Sequence, residues 1–145
     1  MAEPKNYSPK SFVLYFGGVP LQGYEDGTSI EVEFSEDAFS KKTGNDGQTV
    51  RVQNPDESGS ITVTLQATSP SNDVLSAIAI ADRRGLSGVG IKPIMLKDLN
   101  GNTVCASAYA WVRKMPNVQV TRDAPPREWV FDCAELNMFV GGAVS

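Results

Sequence analysis

Two segments alternate apolar and polar residues with a period of two, and this restricts the fold more than any other feature of the chain. In Thr28–Ser35, Ile30, Val32 and Phe34 share one face, while Ser29, Glu31, Glu33 and Ser35 share the other. In Ser60–Thr68, Ile61, Val63 and Leu65 alternate with Thr62, Thr64 and Gln66. Successive side chains of a strand point to opposite faces, so each segment reads as a half-buried antiparallel strand. Further strands are expected at Phe12–Phe16, Ile91–Lys97, Val104–Arg113, Val118–Arg122 and Glu128–Val140. Gly17, Gly18 and Pro20 punctuate a turn after the first, and Asp98, Asn100 and Gly101 make another.

A single helix is expected, at about residues 72–84. Ser69-Pro70 or Ser71 offers its N-cap, and Asp73 sits in the first turn, where the macrodipole favours negative charge. Val74, Leu75, Ile78 and Ala81 recur at helical spacing, Arg83 and Arg84 close the last turn, and Gly85 supplies the stop. Strands dominate and no βαβ alternation is present. The expected class is mainly β: an antiparallel β-sandwich or barrel with one flanking α-helix. A chain of 145 residues makes one domain, 1–145, and buries enough surface to need no disulfide or metal staple. Residues 1–11, with Pro4 and Pro9, read as a flexible N-terminal arm.

Between the two alternating strands runs Glu36 to Gly59, a long polar stretch holding Gly44, Asn45, Asp46, Gly47 and Pro55. Only Gln48–Gln53 within it is strand-like. Loops of this length inside compact domains are uncommon and usually functional.

Enzymatic chemistry finds little to use. The chain has no histidine, which removes Ser-His-Asp and Cys-His pairs, most zinc sites and any imidazole acid–base step. Its net charge of −4 argues against a grip on nucleic-acid phosphates. Gly85–Lys92 approaches a phosphate-binding loop, but it leaves a helix and enters a strand, the reverse of the required order. Asp98-x-Asn100-x-Asn102 opens like a calcium loop, yet Thr103 and Tyr109 stand where glycine and a bidentate glutamate are needed. Glu31 and Glu33 lie about 7 Å apart on one strand face. Neither has the apolar setting that would hold a proton, so they read as a solvated acidic face.

Cys105 and Cys133 fall on strands as packing residues, Cys105 alternating with Ser107, Tyr109 and Trp111, and Cys133 with Trp129 and Phe131. No catalytic residue, cofactor site or metal site is expected. No apolar signal segment opens the chain, and Ala77–Ala81 is its longest run of aliphatic and alanine residues. A soluble protein made in a reducing cytosol is therefore expected.

The stretch Gly17-Gly18-Val19-Pro20-Leu21-Gln22-Gly23-Tyr24-Glu25-Asp26-Gly27, followed by Ser29-Ile30-Glu31-Val32-Glu33, resembles the start of a tail tube protein of contractile-tailed bacteriophages. Gly44–Gln48, Ser58–Leu65 and the helix opening Ser69-Pro70-Ser71-Asn72-Asp73-Val74-Leu75 continue the resemblance. It implies a structural protein, not an enzyme, forming hexameric rings that stack into a hollow tube. Strands of neighbouring subunits would join around the lumen, removing open sheet edges.

The resemblance makes Glu31, Glu33, Thr62, Thr64 and Gln66 lumen-lining candidates. It makes Glu36, Asp37, Lys41, Lys42, Asp46, Arg51, Asp56 and Glu57 candidates for a loop reaching the next ring. An acidic lining suits passage of DNA without specific binding, since like charges repel. The implied partners are further copies of the chain, sheath, baseplate and tail-terminator proteins, with no small-molecule substrate. The implied place is the phage tail of the virion, assembled in the host bacterial cytoplasm. Inner tubes of phage-derived R-type bacteriocins and of type VI secretion systems share this architecture and remain alternatives, as does a ligand-binding β-sandwich module.

Overall fold

The computed structural model describes residues 12–24, 29–85, 87–99 and 101–142. The expected arm at 1–11 and Thr28, the first residue of the second expected strand, lie outside them, as do Glu25–Gly27 and Asn100. The elements run in chain order: β1 (Phe12–Phe16), β2 (Val19–Pro20), β3 (Ile30–Phe34), β4 (Phe39–Thr43), β5 (Thr49–Gln53), β6 (Gly59–Leu65), α1 (Ser71–Arg84), β7 (Lys92–Asp98), β8 (Val104–Lys114), β9 (Arg127–Cys133) and β10 (Asn137–Phe139).

Eight strands form one antiparallel sheet in the order β2-β1-β7-β8-β9-β6-β3, with β10 pairing the first half of β8. The sheet coils strongly. Phe16 of β1 and Phe131 of β9 stand three strands apart, yet their rings approach to 4.9 Å between centroids. Tyr24 forms a β-bridge to Leu65 of β6, and its hydroxyl accepts the Leu14 N–H at 3.0 Å, drawing the two ends of the sheet together. The expected antiparallel β class with one helix is thus the observed one.

The core lies inside this coil. Ile61, Val63 and Leu65 of β6 and Trp129, Phe131 and Cys133 of β9 are buried, as period-two alternation requires. Leu14, Phe16, Ile94 and Leu96 meet them from β1 and β7. The helix covers the coil through Leu75, with Ile78 and Ala79 packed beside it. Trp129 Nε1–H donates to Asn72 Oδ1 at 2.9 Å, so the buried indole keeps its one polar group satisfied while fastening the helix to the sheet.

Several local expectations are corrected. Pro70 occupies the N-cap, so no side chain caps the helix there; instead Ser69 Oγ accepts from Ser71 N–H at 3.3 Å and donates to the Gln22 carbonyl. Asp73, Arg83 and Arg84 hold their expected terminal turns, but Gly85 leaves the helix in an extended conformation. Val74 and Ala81 are exposed, because the helix buries a narrower stripe than the spacing implied.

In β8 the alternation breaks. Cys105 and Ser107 are buried, Tyr109 is 59 % exposed, and Ala110 is buried in its place. The register against β7 shifts between Lys92 and Ile94, and this bulge turns the rest of β8 over. Glu128–Val140 is two strands, because the chain leaves β9 at Ala134 and returns against β8 as β10. Val118–Arg122 forms no strand.

Candidate functional site

The pairing registers collect one solvent-facing surface from β3, β6, β9 and β8. Glu33 stands opposite Ser60, Ser60 opposite Asp132, and Asp132 opposite Trp111. The next row joins Glu31, Thr62 and Val130, and a third joins Thr64 and Glu128. Residues directly opposed in an antiparallel pair share a face, and here the alternating neighbours Ile61, Val63, Leu65, Trp129, Phe131 and Cys133 of β6 and β9 are core residues.

Four of the lumen candidates, Glu31, Glu33, Thr62 and Thr64, therefore do lie together. Gln66 follows the end of β6; it is exposed, its N–H donates to the Gly23 carbonyl at 2.7 Å, and its carbonyl accepts from Asn72 Nδ2 at 3.0 Å.

Sequence reasoning missed half of this surface. Glu128 and Asp132 were legible as the polar alternates of Trp129, Phe131 and Cys133. Arg113 was not, because the β8–β9 register slips between Val112 and Lys114 and brings its guanidinium to Asp132, with Nε–H donating to Oδ1 at 2.7 Å. Hydrogen bonding to Asp132 raises the Arg113 pKa, with Glu33 adding a smaller electrostatic contribution in the same direction. The register also sets Lys114 opposite Val130. The face thus carries four carboxylates against two cations and remains acidic, though less so than Glu31 and Glu33 alone imply.

The stretch between β3 and β6 is not a loop but a β-hairpin. β4 and β5 pair only with each other, from Phe39 against Gln53 to Thr43 against Thr49, and all ten residues are exposed. The strand-like piece expected at Gln48–Gln53 is β5, which begins at Thr49, and β4 was missed because Phe39-Ser40-Lys41-Lys42-Thr43 has a single apolar residue.

The tip explains the hairpin. Gly47 N–H donates to the Gly44 carbonyl at 3.0 Å, Gly47 adopts φ 81°, and Asp46 Oδ1 accepts from Gln48 N–H at 3.1 Å. A three-residue loop with glycine in the left-handed position matches the twist of two antiparallel strands.

Lys41, Arg51 and Phe39 share one hairpin face, where the guanidinium carbon of Arg51 sits 3.6 Å from the Phe39 ring centroid. Lys42 falls on the other face with Ser40, Val50 and Val52. Glu36, Asp37, Asp56 and Glu57 stand at the base. The Ser58 side chain and N–H both stabilise the Asp56 carboxylate and lower its pKa. All three cations of this stretch are on the hairpin strands, and four of its five acids flank them at the base. Phe34, Ala38, Leu136 and Met138 line a cleft of about 320 Å³ beside that base.

Among the described residues no group of three or more His, Cys, Asp or Glu could hold a metal ion, and no helix is long and apolar enough to cross a membrane. Cys105 and Cys133 are free and buried; burial raises both thiol pKa values, that of Cys133 to about 11.

Residues 16–141 match the family model described as the bacteriophage PhiTE tail tube protein. The chain belongs to this phage tail tube family. The chain is 30 % identical over 122 residues to structural protein ORF10 of Pseudomonas phage KPP10, covering 84 % of this chain and 70 % of that one.

Solved structures share the fold at low identity. The tube-terminating cap of the anti-feeding prophage is similar with a TM-score of 0.66 at 11 % identity, covering 97 % of this chain and 95 % of that one. The sheath/tube terminator of an extracellular contractile injection system, PVC, gives 0.65 at 12 % identity over 96 % and 100 % of the two chains. The sheath-tube complex of the same system gives 0.61 at 13 % identity over 96 % and 93 %. The tail tube protein is a structural component of a phage tail, not an enzyme.

Proposed function

We propose that the protein forms hexameric rings that stack into the hollow inner tube of a contractile tail, through which DNA passes into the host. The observation that carries this reading is the polar face built by β3, β6, β9 and β8. A sheet with one face sealed by its core and helix, and the other lined by Glu31, Glu33, Thr62, Thr64, Glu128 and Asp132, suits the wall of a water-filled channel. Its acidic balance keeps a polyanion sliding rather than bound. β3 pairs with β6 alone among the described strands, which leaves an edge for a neighbouring subunit to extend the sheet around a ring.

The hairpin carrying Lys41, Lys42, Asp46 and Arg51, with Glu36, Asp37, Asp56 and Glu57 at its base, reaches the next ring. Among the described strands β4 and β5 pair only with each other and all ten of their residues are exposed, so their apolar and charged groups are available to a second copy. Sheath, baseplate and tail-terminator proteins are the further partners, met in the host cytoplasm where the virion is built.

Negative-stain microscopy of the purified protein tests the reading: rings and tubes with a central channel are expected, and a strictly monomeric species at all concentrations overturns it. Replacing Lys42–Pro55 by a short Gly/Ser bridge should leave folded subunits or rings and abolish tubes. Tubes that persist without the hairpin remove its inter-ring role.

A further inference from the structure

Two segments of this subunit with an unpaired backbone edge among the described residues carry the same pattern and leave opposite ends of its sheet. β5 reads Thr49-Val50-Arg51-Val52-Gln53, and residues 117–121 read Asn117-Val118-Gln119-Val120-Thr121. Among the described residues β5 is hydrogen-bonded along one edge only, to β4. The second segment has strand-like alternation but no strand partner among the described residues.

The four valines are all exposed: Val50 57 %, Val52 46 %, Val118 78 % and Val120 95 %. Pro116, Pro125 and Pro126 bracket the second segment and keep it out of any helix. Arg127 Nη1 donates to the Asn117 carbonyl at 3.4 Å, holding the start of the segment beside the base of β9.

The registers fix where each segment emerges. The hairpin leaves the end of the sheet where Phe34, Gly59 and Cys133 lie side by side. Segment 117–121 leaves the other end, where Leu65 opposes Arg127 and Lys114 opposes Val130. Donor and acceptor at opposite ends of one subunit make a head-to-tail contact, which repeats along an axis without closing.

Resting on the reading that the hairpin spans rings, we infer that Asn117–Thr121 of one copy adds as a strand to the free edge of β5 in a copy of the adjacent ring. In antiparallel register Val118 stands across from Val52 and Val120 across from Val50. Thr121 then meets Thr49, Asn117 meets Gln53, and Arg51 meets neutral Gln119. The register matches apolar with apolar and polar with polar and opposes no like charges, the conditions that favour cross-strand pairs. Strand addition supplies backbone hydrogen bonds for affinity and alternate side chains for register. It also answers why an exposed valine edge is kept at all, since such edges are otherwise aggregation sites.

Cysteine pairs test the register in assembled tubes. The native thiols are buried, so mild oxidation reports only introduced pairs. Val52→Cys with Val118→Cys should give a ladder of covalent multimers on a non-reducing gel. Ser40→Cys with Val118→Cys should give none, because Ser40 lies one strand further away, at about 10 Å, beyond disulfide reach. Tubes without a ladder from the first pair, or with equal ladders from both, overturn the inference.

A second variant, Val118→Asp with Val120→Asp, touches only exposed positions. It should leave the far-UV spectrum unchanged and raise the concentration needed for tubes at least tenfold. Unaltered tubes overturn the inference. If deleting the hairpin abolishes tubes while these variants behave as wild type, the inter-ring role of the hairpin stands and its acceptor is another surface, the sheath included. If tubes survive the deletion, the inter-ring role itself falls.

Discussion

Gly59→Ala should loosen the junction where the hairpin returns to the sheet. Gly59 opens β6, with Phe34 opposite on one side and Cys133 on the other, and it is buried. A Cβ built there would lie 2.5 Å from Leu136 Cδ2, 2.6 Å from the Glu33 carbonyl oxygen and 3.3 Å from Leu136 Cβ. Carbon contacts are most favourable at about 3.5–4.0 Å, so each of the first two must retreat by roughly 1 Å.

Neither can do so freely. Leu136 is 2 % exposed and its N–H donates to the Glu57 carbonyl at 2.8 Å, while the Glu33 carbonyl belongs to the backbone of the paired strand. Overpacking that forces backbone shifts costs about 1–3 kcal/mol. Taking about 2 kcal/mol, the melting temperature of a domain this size falls by about 4–8 °C, and the urea midpoint by about 1 M at a slope of about 2 kcal/mol/M. The assay is urea and thermal unfolding of dilute subunits followed by circular dichroism. A melting temperature within about 1 °C of wild type would refute the steric argument, because it would mean that β3 and Leu136 yield at no cost.

Two further outcomes are expected. Glu31→Lys with Glu33→Lys should spare folding, since both side chains are exposed, and should slow DNA release in a salt-dependent way through counterion release on phosphate contact; ejection kinetics at low and high salt check this, and unchanged rates at low salt count against a lumenal position. The Cys133 thiol, raised from an ordinary 9.0 to about 11 chiefly by burial, favours the protonated fold. Its contribution is complete below about pH 9 and is lost progressively as pH rises through 11. The stability gap between wild type and Cys133→Ala, read from urea midpoints, should therefore shift against wild type from pH 8 to about pH 11, and a constant gap would contradict the burial argument.

The period-two alternations of Ile30–Phe34 and Ile61–Leu65 determined by themselves that the chain is antiparallel β with one wet face, because a strand's geometry leaves no other way to hide three alternate side chains. The helix was equally legible from Asp73, Leu75, Ile78 and the closing arginines. The ordered segments from Gly17 onward carried the likeness to phage tail tubes.

Tertiary structure alone decided which residues share the acidic face. Arg113 reaches Asp132 only because β8 slips its register against β9, and Tyr109 faces water only because a bulge turns β8 over. A one-residue shift reverses every side chain beyond it and leaves no mark in composition or spacing. The hairpin's first strand was hidden for a related reason: every residue of Phe39–Thr43 is exposed and only Phe39 is apolar, so no apolar pattern announces it, and pairing with β5 across the Gly47 turn is what makes it a strand. Val118–Thr121 is the converse, a strand pattern for which the described residues of the subunit supply no partner. Alternation states what a strand offers to each face; only the neighbouring chain determines whether an edge is paired.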